Sequence, residues 1–486
     1  MSAINSLENA FHPRSIAIIG ASESPYSPGS PFTRHLIEYG YNGKIYPVNP
    51  NTQEVFGIKT YPTLLDIPGF VDYIICCIPA SMVLGLLDEC PKKKVKVIHL
   101  FTGRFSETGI EEASDLEQKI LQRAKEIGVR LIGPNCMGVH CPSEGISFGY
   151  ELPKESGPIG LFSQSGGLAL EIIRFAALKN LLFNKAISYG NALDIDETDL
   201  LYYFSQDQET EIIACYIEGV KDGAQFFSAL KEVSSLKPVV VLKGGKGVAG
   251  IKSASSHTGS IAGSTETWDV AIKQAGAIQA EDFEEMINIL TGLSFMPPIL
   301  GRRVGVVGGG GGVSVLSADG WGMAGFDLIS LPGTIKSLIS ERVPEMWWNW
   351  IGNPVDVSMM PQSAWTTGLT GDILRGMAES PEFDLVIANV SIGGPFAKNE
   401  MISFVSLQAD VAIEVAKKKI KPVAAVIDTV ALRIEDFETW RWRLLAEQRS
   451  RFLAAGIPVF SSISEATRTM AILESYYKRR SSMKSA

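Results

Sequence analysis

Residues 157–173 read GPIGLFSQSGGLALEII, and this stretch decides the fold class. Its first half is an apolar run that predicts a buried strand, and the strand ends at a turn of small residues, Ser163–Gly167. A strongly apolar segment that predicts a helix begins at the same turn. Strands that pass directly into helices build parallel sheets covered by helices. We therefore predict an α/β protein.

The same alternation extends in both directions from this stretch. Upstream, strand-like runs alternate with segments of helical length: SIAIIGAS, KIYPVNP, DYIICCIPA, KVIHLFTG and RLIGPNC. Downstream, the series continues with KAISYGN, IIACYIEG and PVVVLKGG, and then with RRVGVVGGGGG, LVIANVSIGG, PVAAVIDT and IPVFSS. Proline and glycine interrupt the periodicity at PKESGP and at MPPILGRR. We expect three α/β domains, at residues 1–150, 151–297 and 298–486.

Length and composition exclude several classes of protein. A chain of 486 residues is too long for one hydrophobic core. Its net charge of −9 disfavours nucleic acid and anionic membranes as partners. The six cysteines lack the spacing of a metal site, so we expect no metal ion bound by this chain. The sequence shows neither a signal peptide nor a membrane span, which predicts a cytoplasmic protein.

The first glycine turn follows the run SIAII. A glycine at a strand end allows backbone amides to approach a phosphate, and a helix N-terminus favours the negative charge. The dinucleotide fingerprint GxGxxG is absent here, and the second strand ends in Val48, Asn49 and Pro50 rather than in a carboxylate that would bind a ribose. We predict a nucleotide-like ligand and disfavour a nicotinamide cofactor.

Ser163–Gly167 predicts an anion site, because the free amides of a first helical turn and two serine hydroxyls meet there. An N-cap without further function is the alternative for such a turn. In the same predicted domain, YIEGVKDG places Glu218 at the end of a strand. His257 lies in SASSHTGSIAGS, a run of small residues typical of a loop, and a surface loop that merely contains a histidine is the alternative there.

The third turn, VVGGGGGVSVLS, contains five consecutive glycines, which indicates close approach of a partner to the main chain. A ligand and a neighbouring domain both fit this pattern. Further along, the aromatic cluster Met346–Trp350 fits either a packing patch or the wall of a substrate pocket.

Taken in order, IIGAS, YPVNP, IGPNCMG, LFSQSGG, YGN, YIEGVKDG and SHTGSIAG resemble the motifs of the NDP-forming acyl-CoA synthetases, the relatives of succinyl-CoA ligase. The likeness covers residues 10–290 at the level of motifs and extends loosely into the third domain. It implies a CoA-binding Rossmann-like domain followed by two flavodoxin-like domains. It also implies the α-type subunit, with CoA as cofactor and with ATP/ADP and Mg²⁺ expected on a separate ATP-grasp β-type subunit.

The resemblance also assigns roles to residues. His257 would carry a phosphoryl group between the acyl-phosphate site and the nucleotide site, and Glu218 would fix the tautomer of its ring. The phosphate-binding turn would comprise Ser163, Gln164, Ser165, Gly166 and Gly167. The CoA-binding residues would be Gly20, Ala21, Ser22, Val48, Asn49, Pro50, Asn135 and Cys136.

Two segments depart from the pattern of the family. SPYSPGSP, after the first strand, is longer and richer in proline, and FTGRFSETG carries Arg104 at the second residue of the family's AGF motif. The acid substrate and the choice between ATP and GTP stay open. A CoA-binding regulatory protein without turnover is the alternative function, and intact His257 and Glu218 count against it.

Overall fold

The computed structural model describes residues 3–247, 249–250, 265–356, 358, 360, 368–392, 397–428, 435 and 438–485. The chain forms two compact units, Met1–Met286 and Ile287–Ala486. Parallel sheets with covering helices make up both units, as the alternation of strand and helix patterns predicts. The α/β fold class is therefore confirmed.

The first sheet of the first unit has five parallel strands in the order β2-β1-β5-β6-β7. Its region contains α1 (Ala3–Phe11), β1 (Ser15–Ile19), α2 (Gly29–Tyr39), β2 (Lys44–Val48), β3 (Glu54–Val55), β4 (Ile58–Lys59), β5 (Tyr73–Cys76), α3 (Val83–Lys93), β6 (Val97–Leu100), α4 (Glu111–Ile127) and β7 (Arg130–Ile132). All five strands of this sheet coincide with runs read from the sequence, whereas the short antiparallel pair β3–β4 was not foreseen.

The second sheet of this unit has the order β13-β12-β11-β9-β10-β8, in which β8 alone is antiparallel to its neighbour. Its elements are β8 (Gly138–His140), β9 (Ile159–Ser163), α5 (Gly166–Ala177), β10 (Phe183–Ser188), α6 (Glu197–Gln206), β11 (Ile212–Ile217), α7 (Gly223–Leu236), β12 (Val239–Lys243), α8 (Thr265–Gln274) and β13 (Ile278–Ala280). Because β8 precedes residue 150 yet joins this sheet, the chain crosses between the two sheets before the predicted domain limit. That limit stays a prediction.

The second unit contains a four-stranded parallel sheet in the order β14-β15-β16-β17. Helix α9 (Phe283–Phe295) leads into it, and β14 (Val304–Val307), α10 (Gly311–Met323), α11 (Gly333–Ser340), α12 (Leu369–Glu379), β15 (Leu385–Val390), α13 (Lys398–Lys417), β16 (Val423–Ile427), α14 (Trp440–Ala454), β17 (Val459–Phe460) and α15 (Ile463–Ser485) follow. Strands β14, β15 and β16 are buried along their whole length, as expected of a sheet covered on both faces.

The strand register brings three turns of the second sheet to one edge. Ser163, the last residue of β9, pairs with Ser188 of β10 on one side and with Tyr216 of β11 on the other. The loops that follow these strands therefore leave the sheet side by side, at the carboxyl edge where α/β proteins bind their ligands.

Candidate functional site

The turn after β1 is closed by hydrogen bonds to the end of β2. The amides of Gly20 and Ala21 both donate to the carbonyl of Val48, at 3.0 and 3.3 Å, and Asn49 Nδ2 donates to Ala21 O at 2.7 Å. Four of the predicted CoA-binding residues therefore lie together. Both amides already have an acceptor within the protein, and the binding of CoA by these residues stays a prediction.

Gly29 is a residue of this region that the sequence analysis did not single out. It starts α2, and a Cβ atom at Gly29 would lie 2.2 Å from the carbonyl oxygen of Gly20, which itself has a φ of 92°. The helix therefore packs directly onto the turn after β1. In the loop after β1, Ser22 Oγ accepts a hydrogen bond from the amide of Ser24, while Pro50, in the loop after β2, is exposed. The Pro-Gly step inside SPYSPGSP was the available signal for this packing.

The turn after β9 begins α5 as predicted. Ser165 is the N-cap, and its Oγ accepts a hydrogen bond from the amide of Leu168 at 3.3 Å. Ser163 Oγ donates to Ser165 O at 2.7 Å and is fully buried. Both hydroxyls thus hold the turn in shape. The amides of the first helical turn remain the groups that attract an anion here, together with the helix dipole.

Gln164 connects this turn to the loop that carries Glu218. Its Nε2 donates to Gly219 O at 3.0 Å, and its Oε1 accepts hydrogen bonds from the amides of Glu218 and Gly219. The side chain is 5% exposed, so these bonds form in a water-poor environment. Gln164 therefore fixes the position of Glu218 relative to α5.

Glu218 is buried at the end of β11, where Tyr216 donates its hydroxyl hydrogen to Glu218 Oε1 at 3.1 Å. Lys243 donates to the carbonyl of Glu218 at 2.8 Å, and burial lowers the pKa of Lys243 to about 8. The Lys243 ammonium also lies 5.1 Å from the ring centre of Trp268 on α8. His257 lies outside the described residues, so its relation to Glu218 stays a prediction.

The GPNC segment turns sharply between the two sheets of the first unit. Gly133 and Asn135 have φ values of 99° and 58°, and the Asn135 amide donates to Thr102 O at 3.0 Å. Cys136 O is 2.8 Å from His99 Nε2, and burial raises the pKa of the Cys136 thiol. A thiol in this state is a poor nucleophile, so Cys136 can shape a site but is not suited to attack a substrate.

A cavity of about 220 Å³ joins the GPNC segment to the N-terminus of α5. Its wall is formed by Phe101, Asn135, Cys136, Met137, Gln164, Ser165, Gly166, Gly167, Gly190 and Asn191. The structure thereby brings the predicted phosphate-binding turn next to two predicted CoA-binding residues. The cavity can hold an anion on the helix amides with a second group against the GPNC segment.

Two polar residues of this region were missed from the sequence. Asn191, in the YGN motif, donates from Nδ2 to Glu107 Oε2 at 2.7 Å. Glu107 also accepts hydrogen bonds from the amides of Arg104 and Phe105, at 2.6 and 3.0 Å. Arg104 has a φ of 71°, a left-handed conformation that glycine adopts more readily. This conformation explains why a glycine suits that position in the related motif.

The glycine turn of the second unit has a partner that the sequence analysis did not name. A Cβ atom at Gly308 would lie 2.0 Å from Asn389 O, at the end of the neighbouring strand β15. One at Gly311 would lie 3.3 Å from Asp356 Oδ2. Close packing within the unit itself therefore requires glycine at position 308.

The aromatic cluster forms a short 3₁₀ helix, Glu345–Trp350. Trp348 Nε1 donates to Val343 O at 2.7 Å, and Trp348 lines a cavity of about 570 Å³ together with Ile329 and Ile339. Packing and ligand binding both fit this arrangement, so the two interpretations of the cluster stay open.

Among the described residues, all six cysteines are free thiols and no group of three or more metal-ligating side chains occurs. Within the same residues, no helix is both long and apolar enough to cross a membrane.

Comparison with known proteins matches two stretches of the chain to described domain families. Residues 14–142 match a CoA binding domain, and residues 156–293 match the succinyl-CoA ligase like flavodoxin domain.

Known proteins are also similar over larger parts of this chain. The α subunit of acetate–CoA ligase [ADP-forming] I from Pyrococcus furiosus is 38% identical over 377 residues, which are 76% of this chain and 80% of that one. The acetate–CoA ligase [ADP-forming] of Methanocaldococcus jannaschii is 40% identical over 64% of this chain but only 44% of its own length. The dinucleotide forming acetyl-coenzyme A synthetase 1 of Ca. Korarchaeum cryptofilum, solved with phosphate and ADP, has a TM-score of 0.83 at 30% identity, covering 99% of this chain and 98% of that one.

Proposed function

Because this chain belongs to the family of ADP-forming acyl-CoA ligases, we propose that it is the α-type subunit of such an enzyme. The reaction is the reversible conversion of a carboxylic acid, CoA and ATP into acyl-CoA, ADP and phosphate. The observation that carries the proposal is the cavity that unites the N-terminus of α5 with Asn135 and Cys136. It provides, side by side, a place for a phosphoryl group and a place for a thiol. The cytoplasmic location expected from the sequence is part of the same proposal.

CoA would be bound by the first sheet, at the turn of Gly20–Ser22 and the loop Val48–Pro50, with its reactive end directed to Asn135 and Cys136. The nucleotide and its Mg²⁺ would be bound by a separate ATP-grasp β-type subunit. The match to 80% of a relative that is named as an α subunit supports this division.

In this mechanism His257 carries the phosphoryl group. The carboxylate oxygen of the acid attacks phosphorus, the P–N bond to His257 breaks, and an acyl phosphate forms. The thiol sulfur of CoA then attacks the carbonyl carbon, the bond to the phosphate oxygen breaks, and phosphate leaves. The proton lost by the thiol leaves with phosphate or solvent.

The described residues supply the electrostatics of these steps. The amides and dipole of α5 stabilise the phosphoryl oxygens, and Gln164 holds Glu218 at a fixed distance from that helix. Glu218 would accept the hydrogen bond of one ring nitrogen of His257 and leave the other free to attack. A regulatory protein without turnover has no need of such a carboxylate, which disfavours that alternative.

The test combines the full chain with its ATP-grasp subunit, CoA, ATP and a panel of short-chain and aromatic acids. Acyl-CoA formation is followed by chromatography. Replacing Glu218 by Gln slows the rate by roughly ten- to a thousandfold, because the ring of His257 loses its orienting partner. Glu232→Gln, on the exposed face of α7, is the matched control and retains the rate. Acyl-CoA formation that is unaffected by Glu218→Gln contradicts the proposed role, and tight binding of NAD without binding of CoA contradicts the proposed function.

A further inference from the structure

Asn191 presents an acceptor that no described residue satisfies. The residue is 5% exposed, and its Oδ1 has no hydrogen-bond partner among the described residues. A buried amide oxygen without a donor costs on the order of 1–3 kcal/mol, so a ligand or water is expected to complete it.

The orientation of the Asn191 amide follows from the hydrogen-bonding groups of its neighbour Glu107. The Glu107 carboxylate can only accept hydrogen bonds, and it already accepts two from the backbone amides of Arg104 and Phe105. The NH₂ group of Asn191 must therefore face Glu107, at 2.7 Å. Oδ1 is therefore the atom of the amide that is left for another donor, and Asn191 forms part of the wall of the 220 Å³ cavity.

The cavity thus offers two kinds of groups to a ligand. The first-turn amides of α5, at Gly166 and Gly167, are donors that suit an anion. Asn191 Oδ1 is an acceptor and needs a donor. The Asn191 amide contacts Glu107 through its NH₂ group, so an anion bound at Oδ1 would be close to the negative charge of Glu107. A neutral donor is therefore favoured at Oδ1.

Building on the proposed function, we infer that Asn191 binds the pantetheine arm of CoA by accepting a hydrogen bond from one of its neutral N–H, O–H or S–H groups. Glu107 is the positioning residue that orients the Asn191 amide for this contact. The arm is the part of CoA that must pass Asn135 and Cys136 if its thiol is to reach a phosphoryl group on α5, and Asn191 belongs to the same wall.

The test measures binding to the full chain by titration calorimetry with three probes: CoA, the adenosine bisphosphate moiety of CoA without its arm, and inorganic phosphate. We expect Asn191→Ala to weaken the binding of CoA about tenfold, which is the effect of losing one buried hydrogen bond. The affinities of the Asn191→Ala variant for the adenosine moiety and for phosphate stay within twofold of those of the original chain. Glu107→Gln weakens the binding of CoA but not of the two other probes, because the amide of Asn191 is then free to rotate.

Asn184→Ala is the matched control for loss of a buried asparagine. Asn184 is 1% exposed on β10 and bonds Thr210 at 2.9 Å, so its replacement lowers the melting temperature without changing CoA affinity. Failure of the unaltered chain to bind CoA contradicts the proposed function itself. If that chain binds CoA and Asn191→Ala binds it equally well, or weakens all three probes alike, the role of Asn191 is refuted.

Discussion

Replacing Gln164 by alanine removes a side chain that ties the turn after β9 to the loop of Glu218. Three hydrogen bonds are lost, from Nε2 to Gly219 O and to Oε1 from the amides of Glu218 and Gly219. At about 1 kcal/mol for each bond, the free energy of unfolding falls by about 3 kcal/mol. The backbone groups left buried without partners increase this loss.

The same change affects the chemistry through Glu218. Without Gln164 the loop after β11 shifts, and a displacement on the order of 1 Å costs roughly a hundredfold in rate. Phosphoryl transfer to the chain is therefore expected to slow by about that factor, while binding of CoA at the first sheet is retained.

Urea denaturation measures the stability and a phosphorylation time course measures the rate. Gln122→Ala on the exposed face of α4 is the control, and its unfolding free energy stays within about 0.5 kcal/mol of that of the original chain. If Gln164→Ala unfolds at the original urea concentration and is phosphorylated at the original rate, the proposed role of Gln164 is wrong.

Three other measurements test separate parts of the structure. Burial lowers the pKa of three histidines below the unfolded value of 6.5. Their contribution to stability is therefore complete above pH 6.5 and is lost as the pH falls. At pH 5 the unfolding free energy measured in urea should be lower by about 2 kcal/mol for each of them. These are His35 and His99, each with a pKa of about 4, and His140, with a pKa of about 3; equal stability at pH 7 and pH 5 would contradict their burial as neutral rings. Arg104→Gly should be about 1 kcal/mol more stable than Arg104→Ala, because alanine keeps the left-handed strain at this φ of 71°. Gly29→Ala places a Cβ atom 2.2 Å from Gly20 O and should weaken the binding of CoA at least tenfold in calorimetry. Gly85→Ala is the control, because a Cβ atom there meets open space, and it should not change CoA binding.

The sequence predicted the strands and their turns well because those signals are local. Apolar runs such as IGLFS and VVVLK are buried over their full length, and the small residues after them mark the carboxyl edge. Strands β8 (GVH) and β13 (IQA) were missed because each has three residues and no two adjacent apolar ones, unlike the equally short β7 (RLI). Such a run carries no clear periodicity of its own, and its neighbours in the sheet define it.

The hydrogen bonds within the site could not be predicted in the same way. Asn191 and Glu107 are 84 residues apart in the chain, and no local pattern links them. The hydrogen bonds from the amides of Gly20 and Ala21 to Val48 O are a second example, because the parallel register of β1 and β2 places that carbonyl within reach of both. Such contacts depend on how strands far apart in sequence align.

The most direct test of the central claim is the transfer of phosphate to His257 within this chain. The full chain is incubated with labelled inorganic phosphate and a panel of acyl-CoA thioesters, acetyl-CoA included. Phosphate displaces CoA from the thioester, and the resulting acyl phosphate transfers its phosphoryl group to the imidazole and releases the free acid. We predict a label on the protein that is lost in acid and kept in alkali, one free CoA for each phosphoryl group, and no label on His257→Ala. A label that persists in His257→Ala, or no label with any thioester, would contradict the account.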